Sequence, residues 1–262
     1  MRIAVVGHVE WVQFVRVERM PETGEIVHAL DRWEEPGGGG AVAAAELARL
    51  GASVEFFTAL GDDELGRRAQ EQLSALGVRM HVQVRDEPTR RAVTMVDGDG
   101  ERTIFVLSEK LVPSGPLADL GGFAGVDFVS GNVAALRSAR AAPVVVATAR
   151  ELAMLREARV KLDALVGSAE DPGERHEPGD LDPPPDLVVT TSGARGGTVE
   201  PGGLRFEAAP PPAPLVDAYG CGDCFAAAFT LALARDTALP EALALAARSG
   251  AAALARRGAH GL

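Results

Sequence analysis

The sequence is short of several things, and each shortage closes off a class of function. Cations are in deficit: 26 Lys and Arg stand against 37 Asp and Glu, a formal net charge of −11. No basic stripe breaks that excess, which argues against a nucleic-acid partner and against anionic membrane surfaces. No apolar run reaches the ~18 residues that a membrane span needs. The opening MRIAVVGHVEW lacks a long apolar stretch and a small-residue cleavage site, so it reads as a strand rather than a signal peptide, and the expected location is cytoplasmic. Cysteine occurs only at Cys221 and Cys224, within one motif. A disulfide framework is therefore absent, which suits a reducing compartment. The spacing CGDC is that of half a zinc or redox site, but no second ligand pair accompanies it, and the five histidines show no metal spacing. Aromatics are scarce at 5%, and no internal repeat is present.

What remains is a chain of 262 residues, 47% hydrophobic and rich in Ala, Gly and Val, long enough to bury a large core. Short β-branched runs (residues 2–7, 53–61, 126–131, 142–148, 162–167 and 186–193) alternate with helical patterns such as AVAAAELARLG (41–51) and the amphipathic DELGRRAQEQLSALG (63–77). Near-continuous apolar strands separated by helices predict a mostly parallel sheet covered on both faces. Two stretches break this rhythm. Residues 11–36 alternate apolar and polar positions without a helix, and residues 90–107 form a hairpin pattern around DGDG. Together, at about 11–36 and 80–107, they predict a small β-layer beside the body that acts as a lid over a cleft. The whole of 1–262 then reads as one α/β domain. Residues 168–186 are acidic and proline-rich and read as a loop.

Two glycine clusters carry chemistry. DAYGCGDCF (217–225) opens an alanine-rich helix, and such a turn aims backbone N–H groups at one spot where, with the helix dipole, an anion binds. An acid in that spot, Asp223, conflicts with a bound anion unless it acts as a general base, taking a proton from a hydroxyl that attacks phosphorus. The competing role for Asp223 is a first-turn helix acid, worth ~0.3–1 kcal/mol. PGGGGAVAAAELARLGA (36–52) also leads into a helix and allows close backbone approach to a ligand. It is neither a Walker loop nor a GxGxxG fingerprint.

Taken together, these segments resemble the ribokinase-type (PfkB) carbohydrate kinases. GGGGAVAAAELARLGA is similar to the N-terminal signature of that family and DAYGCGDCFAAAF to its C-terminal one. TALGDDELG (58–66), GERTI (100–104) and VVTTSGARGG (188–197) resemble three further family segments, in family order. The resemblance implies a ribokinase-like three-layer α/β/α sandwich with a mostly parallel central sheet and a small β-sheet lid. It implies Asp223 as catalytic base and Gly220, Cys221 and Gly222 as anion-hole amides. On the acceptor side it implies Gly38 and Gly39, with Glu10, Gln13 and Arg102 as candidate substrate contacts. On the nucleotide side it implies Thr191, Gly193, Gly196 and Ser168. Asp171 and Asp217 are the candidate metal-side acids, Asp217 also bracing the loop near where relatives hold a monovalent cation. ATP and Mg²⁺ follow as cofactors, a small sugar-like molecule as substrate, and a homodimer through the lid as an assembly.

Four positions depart from the family pattern. Val42 stands where an Asn is usual, Val12 where an Asp grips sugar hydroxyls, Ser168 opens the segment usually reading NxxE, and Ala247 replaces an Asn near the adenine. Tyr219 is bulky at a usually small position and is expected to narrow the site. Three readings therefore stay open: a kinase for a sugar-like alcohol, a degenerate kinase fold that binds or regulates without turnover, and a nucleoside kinase with an aromatic platform such as Trp11 or Phe14.

Overall fold

The computed structural model describes residues 1–261. In chain order the elements are β1 (Arg2–Val6), β2 (Glu10–Arg16), β3 (Asp31–Gly37), α1 (Gly39–Arg49), β4 (Ser53–Gly61), α2 (Glu64–Ala75), β5 (Arg79–Arg85), β6 (Arg91–Val96) and β7 (Arg102–Val106). They continue with β8 (Gly125–Phe128), α3 (Val133–Ala139), β9 (Val145–Thr148), α4 (Leu152–Ala158), β10 (Ala164–Ser168), β11 (Leu187–Thr191), β12 (Gly197–Glu200), β13 (Leu204–Phe206), α5 (Cys221–Ala234) and α6 (Leu239–Leu254).

A large sheet runs in the order β13-β12-β11-β10-β9-β8-β1-β4-β5. Its seven strands from β11 to β5 are parallel, and β12 and β13 close one edge as an antiparallel pair. The interior strand β1 shows why its sequence is apolar throughout. Ala4 and Val6 point into a cluster with Phe128, Leu136 and Leu155. Ile3 and Val5 point the other way, among Leu47, Leu73 and Leu231. Both faces are covered, so no polar alternation survives, and each fully buried large side chain contributes about 1.5–3 kcal/mol. At the start of α2, Asp63 Oδ1 accepts from the Gly66 N–H at 2.8 Å, while its carboxylate also takes the N–H and hydroxyl of Thr89.

The small sheet has the order β3-β2-β6-β7. Its lower boundary differs from the expected one. Residues 79–85 are β5, paired in parallel with β4 in the large sheet, so the small layer takes up again only at Arg91. The layer is also wedged rather than hung over the body. One face places Val12, Phe14, Ala92 and Val96 against Val42, Tyr219, Cys224 and Ala253. On the other face Trp11 enters the body's core beneath the Arg68 guanidinium, 4.3 Å from its ring. The C-terminal segment pins β3: the Ala259 N–H donates to Glu35 Oε1 at 2.8 Å, and His260 Nε2 lies 2.6 Å from the Pro36 carbonyl. At the other edge of this sheet, β7 is exposed along its whole length.

β1 lies between β4 and β8, and the chain leaves it towards opposite edges of the sheet. In open α/β sheets the crevice beyond the strand C-termini at such a switch is where ligands bind.

Candidate active site

Three short segments meet at that switch. His8 follows β1, Ser130 follows β8, and α5 starts beside them. The two glycine clusters face each other across the gap. A Cβ on Gly39 would stand 2.6 Å from Asp223 Oδ1, and one on Gly220 would stand 2.8 Å from Val42 Cγ1. Gly220 has φ +73°, a left-handed conformation that costs other residues roughly 1–2 kcal/mol. That turn starts α5, with Cys221, Gly222 and Asp223 in its first turn. Gly222 is exposed, and a Cβ there would meet nothing within 4 Å. The space where its side chain would stand is open.

Asp223 is half-buried. Burial pushes its pKa up to about 6; Glu174 and Glu10 add to the rise, while Arg102 and Arg150 oppose it. A carboxylate at that value is still ionised at neutral pH yet more basic than an ordinary aspartate, which is how a general base is tuned.

The structure separates the acceptor-side candidates. Gly38, with φ +85°, borders His8 and Glu10: a Cβ on it would lie 3.0 Å from His8 Cδ2 and 3.2 Å from Glu10 Cγ. Glu10 is buried, with Oε2 2.9 Å from Arg90 Nε. Oε2 thus sits against the Arg90 charge, although the contact lacks good hydrogen-bond geometry. Burial raises the Glu10 pKa and Arg90 opposes the rise. Gln13 lies on the opposite face of β2 from Glu10, since side chains alternate along a strand and an odd number of residues separates the two. It belongs to the Trp11 side, away from Gly38. His8 Nδ1 is 3.0 Å from Ser130 Oγ. Burial holds its pKa well below the imidazole range, with the Lys110 and Arg90 charges adding to the effect, so the ring is neutral.

Tyr219 does not obstruct the site; it fastens it. Its hydroxyl accepts from the Gly38 N–H at 2.8 Å and donates to Glu10 Oε1 at 3.4 Å. Its ring packs edge-on against Phe14, 5.0 Å between centroids. Two departures from the family pattern find their reason here. Val42 presses on Gly220 from behind, and Val12 is fully buried under Gly37. Neither lines the gap, so neither leaves it apolar.

On the other side, Ser168 and Thr191 are register partners at the ends of β10 and β11, with Gly193 just beyond. Gly196 serves the chain itself: its Cβ would stand 2.0 Å from the Phe206 carbonyl oxygen, so it shapes the turn into β12. Asp171 pairs with Arg150 and accepts from the Gly173 N–H. Glu174, which sequence reading missed, takes Arg150 on Oε1 at 3.0 Å and the Ser168 N–H on Oε2 at 2.9 Å. It is the acid with the largest effect on Asp223. Its only signal was membership of a proline-rich acidic loop, whose path spacing does not reveal. Asp217 is a brace: its Oδ1 takes the Tyr219 N–H at 2.7 Å and its Oδ2 the Gly258 N–H at 3.0 Å. Cys221 and Cys224 are free thiols. No helix among the described residues is long and apolar enough to cross a membrane.

The pfkB family carbohydrate kinase profile matches residues 1–112 and 134–261. The chain is 34% identical over 109 residues to a ribokinase from Arabidopsis thaliana, a match covering 40% of this chain and 29% of that protein. It is 26% identical over 283 aligned positions to a ribokinase from Bacillus subtilis, covering 99% of this chain and 94% of the relative. In three dimensions it superposes on the ribokinase of Cryptococcus neoformans in complex with ADP, with a TM-score of 0.78 and 24% identity, over 99% of this chain and 95% of that one. The last likeness establishes the ribokinase fold. With a profile match over most of its length and the two facing glycine turns that its signatures describe, the chain belongs to the pfkB family of carbohydrate kinases.

Proposed function

We propose that this protein transfers the γ-phosphoryl group of ATP to a hydroxyl of a small sugar-like acceptor. The carrying observation is Asp223: a carboxylate tuned to about 6, in the first turn of a helix that opens on Gly220, touching the glycine loop where an acceptor would lie. The acceptor rests on Gly38 and Gly39. Asp223 takes the proton of its hydroxyl as that oxygen bonds to the γ-phosphorus and the bond to the β-phosphate oxygen breaks, releasing ADP. The N–H groups of Gly220, Cys221 and Gly222 hold the phosphoryl oxygens. Glu10, oriented beside Gly38 by Arg90 and the Tyr219 hydroxyl, is the carboxylate placed to accept from a second acceptor hydroxyl, and neutral His8 offers a further polar contact. Ser168, Thr191 and Gly193 border the nucleotide. Glu174 and Asp171 are already held by Arg150 and by backbone N–H groups, so Mg²⁺ would arrive with the triphosphate rather than in an all-protein cage. When bound with the triphosphate, that ion neutralises phosphate charge.

Two observations favour a sugar-like acceptor over a nucleoside. Trp11 is buried under Arg68, and Phe14 is fully buried between Trp33, stacked at 4.9 Å, and Tyr219. Neither offers a platform for a base. The polar groups converging near Gly38 also count against a degenerate, apolar pocket. The exposed apolar edge of β7 supports a homodimer in which two copies pair this strand.

The test is ADP release from Mg-ATP over a panel of sugars, polyols and nucleosides. Turnover with a sugar or polyol is expected, falling by about 10²–10⁴-fold in Asp223→Asn. ATP binding with no turnover on any acceptor would favour a protein that senses rather than phosphorylates.

A further inference from the structure

At the switch point the chain leaves β1 against the start of α1, and this sets His8 beside the acceptor loop. A Cβ on Gly7 would stand 2.8 Å from Gly40 Cα, and one on Gly40 would stand 2.8 Å from the His8 carbonyl oxygen. Strand exit and helix start therefore meet backbone to backbone. The His8 ring comes to rest at Gly38, its Cδ2 3.0 Å from where a Cβ would be. The neighbouring strand holds the ring from another side. Ser130, fully buried beyond β8, is fixed by its N–H, which donates to the Val6 carbonyl at 3.2 Å, and its Oγ lies 3.0 Å from His8 Nδ1. Glu10 reaches the same glycine, with Cγ 3.2 Å from the same point. An imidazole and a carboxylate thus flank Gly38.

The Ser130 hydroxyl has one proton to donate, and His8 Nδ1 is its only partner among the described residues. A buried donor left unpaired costs about 1–3 kcal/mol. The arrangement that meets it has the hydroxyl donating to Nδ1. Burial keeps this ring neutral, and a neutral imidazole carries a single proton, which then sits on Nε2. Nε2 is bonded to Cδ2, the ring atom nearest Gly38, so its N–H stands at the acceptor loop. Among the described residues it is neither hydrogen-bonded nor walled off. We propose that His8 is a specificity residue whose Nε2–H donates to a non-reacting hydroxyl of the acceptor, while that same hydroxyl donates to the Glu10 carboxylate. Ser130 is a positioning residue that sets the tautomer. The assignment rests on the kinase reading above. One donor and one acceptor converging at one glycine match the two-sided character of a hydroxyl, which both gives and takes a hydrogen bond. An acceptor with hydrogen at that carbon leaves both protein groups unpaired, and a site built around a hydroxyl rejects such an analogue strongly.

The experiment takes the fastest acceptor of the panel above and each of its monodeoxy analogues, with wild type, His8→Ala, His8→Asn and Ser130→Ala. Wild type should reject one analogue by at least about a hundredfold in kcat/KM. His8→Ala should lose about tenfold or more on the parent, through KM, and almost nothing on that analogue, so discrimination collapses at one carbon only. His8→Asn keeps a side-chain N–H and should recover part of the loss. Ser130→Ala should narrow the same ratio without touching the acceptor. In ¹⁵N–¹H spectra of the imidazoles, the His8 signal, identified by its disappearance in His8→Ala, should report the Nε2–H form in wild type and a mixture in Ser130→Ala. Equal losses on the parent and on every analogue, or discrimination left whole in His8→Ala, would overturn the assignment. So would an Nδ1–H ring in wild type. Wild-type protein that turns over no acceptor at all would instead remove the kinase reading itself, and this assignment with it.

Discussion

Gly220 and Gly222 stand two residues apart and are glycine for different reasons. Gly220 answers to the protein: its left-handed φ and the pressure of Val42 leave no room for a side chain. Gly222 has no such internal reason, because a Cβ there would meet only open space, and the proposed anion hole is what would require it. The pair predicts opposite outcomes for one substitution. Gly220→Ala should lower stability by at least about 1–2 kcal/mol, read as a fall in Tm. Gly222→Ala should leave Tm unchanged or slightly raised, since alanine suits a helix better than glycine, while ATP affinity drops because the methyl intrudes where phosphate oxygens must come. A drop in Tm for Gly222→Ala with ATP affinity intact would contradict the anion-hole assignment. At this scale the sequence named Asp223 and its glycines directly, because their chemistry is local. Gln13 and Glu10 were indistinguishable in it. Which of them faces Gly38 depends on strand register, and that is fixed by packing far from either.

Between elements, the contact of β8 with α5 holds a buried acid that takes no part in the proposed chemistry. Asp127 is 2% exposed, and its Oδ2 has no hydrogen-bond partner among the described residues. Burial first and the Asp223 charge second push its pKa up to about 8; the Thr230 hydroxyl opposes them. Its carboxyl is therefore protonated at neutral pH. An unfolded aspartate titrates near 4, so between about pH 4 and pH 8 the folded state holds a proton that the unfolded state has released. Stability from this group then falls as pH rises through that window. Asp127→Asn, neutral throughout, removes the dependence. Its Tm relative to wild type should rise between pH 5 and pH 8, and a constant difference across that range would refute the shift. The same scale shows what periodicity conveys and what it hides. The strands β1, β4, β8 and β9 were legible as apolar runs because both of their faces are buried, and β10 and β11 because they are at least half-buried. β5, reading RMHVQVR, lies at the sheet edge and alternates with charge, so it resembled the small layer instead. β12 and β13 are four and three residues long. Such short strands are defined by their partners more than by their own residues.

For the molecule as a whole, the small sheet is anchored along β2 and β3 and free along β7. Ile104, Phe105, Val106 and Leu107 are 41–55% exposed in succession, an unbroken apolar edge. Solitary proteins commonly blunt such edges with charge, proline or a covering element, and β7 lacks all three beyond Arg102. Sedimentation velocity should accordingly show a dimer that Phe105→Asp converts to monomer with Tm nearly unchanged; a wild-type monomer at all concentrations would dismiss the pairing. The general architecture was readable from the sequence, since alternation of strand and helix implies a covered parallel sheet. The wedging of the small layer was not, because it depends on the C-terminal segment folding back onto β3, a contact across more than 200 residues.

Tyr219 joins both glycine loops through one hydroxyl, and it is the only tyrosine in the chain. Biosynthetic fluorotyrosine would therefore enter at a single position, and a ¹⁹F spectrum would carry one resonance. The protein contains its own spectroscopic probe at the junction where the two glycine loops and the small sheet converge, without any engineered label.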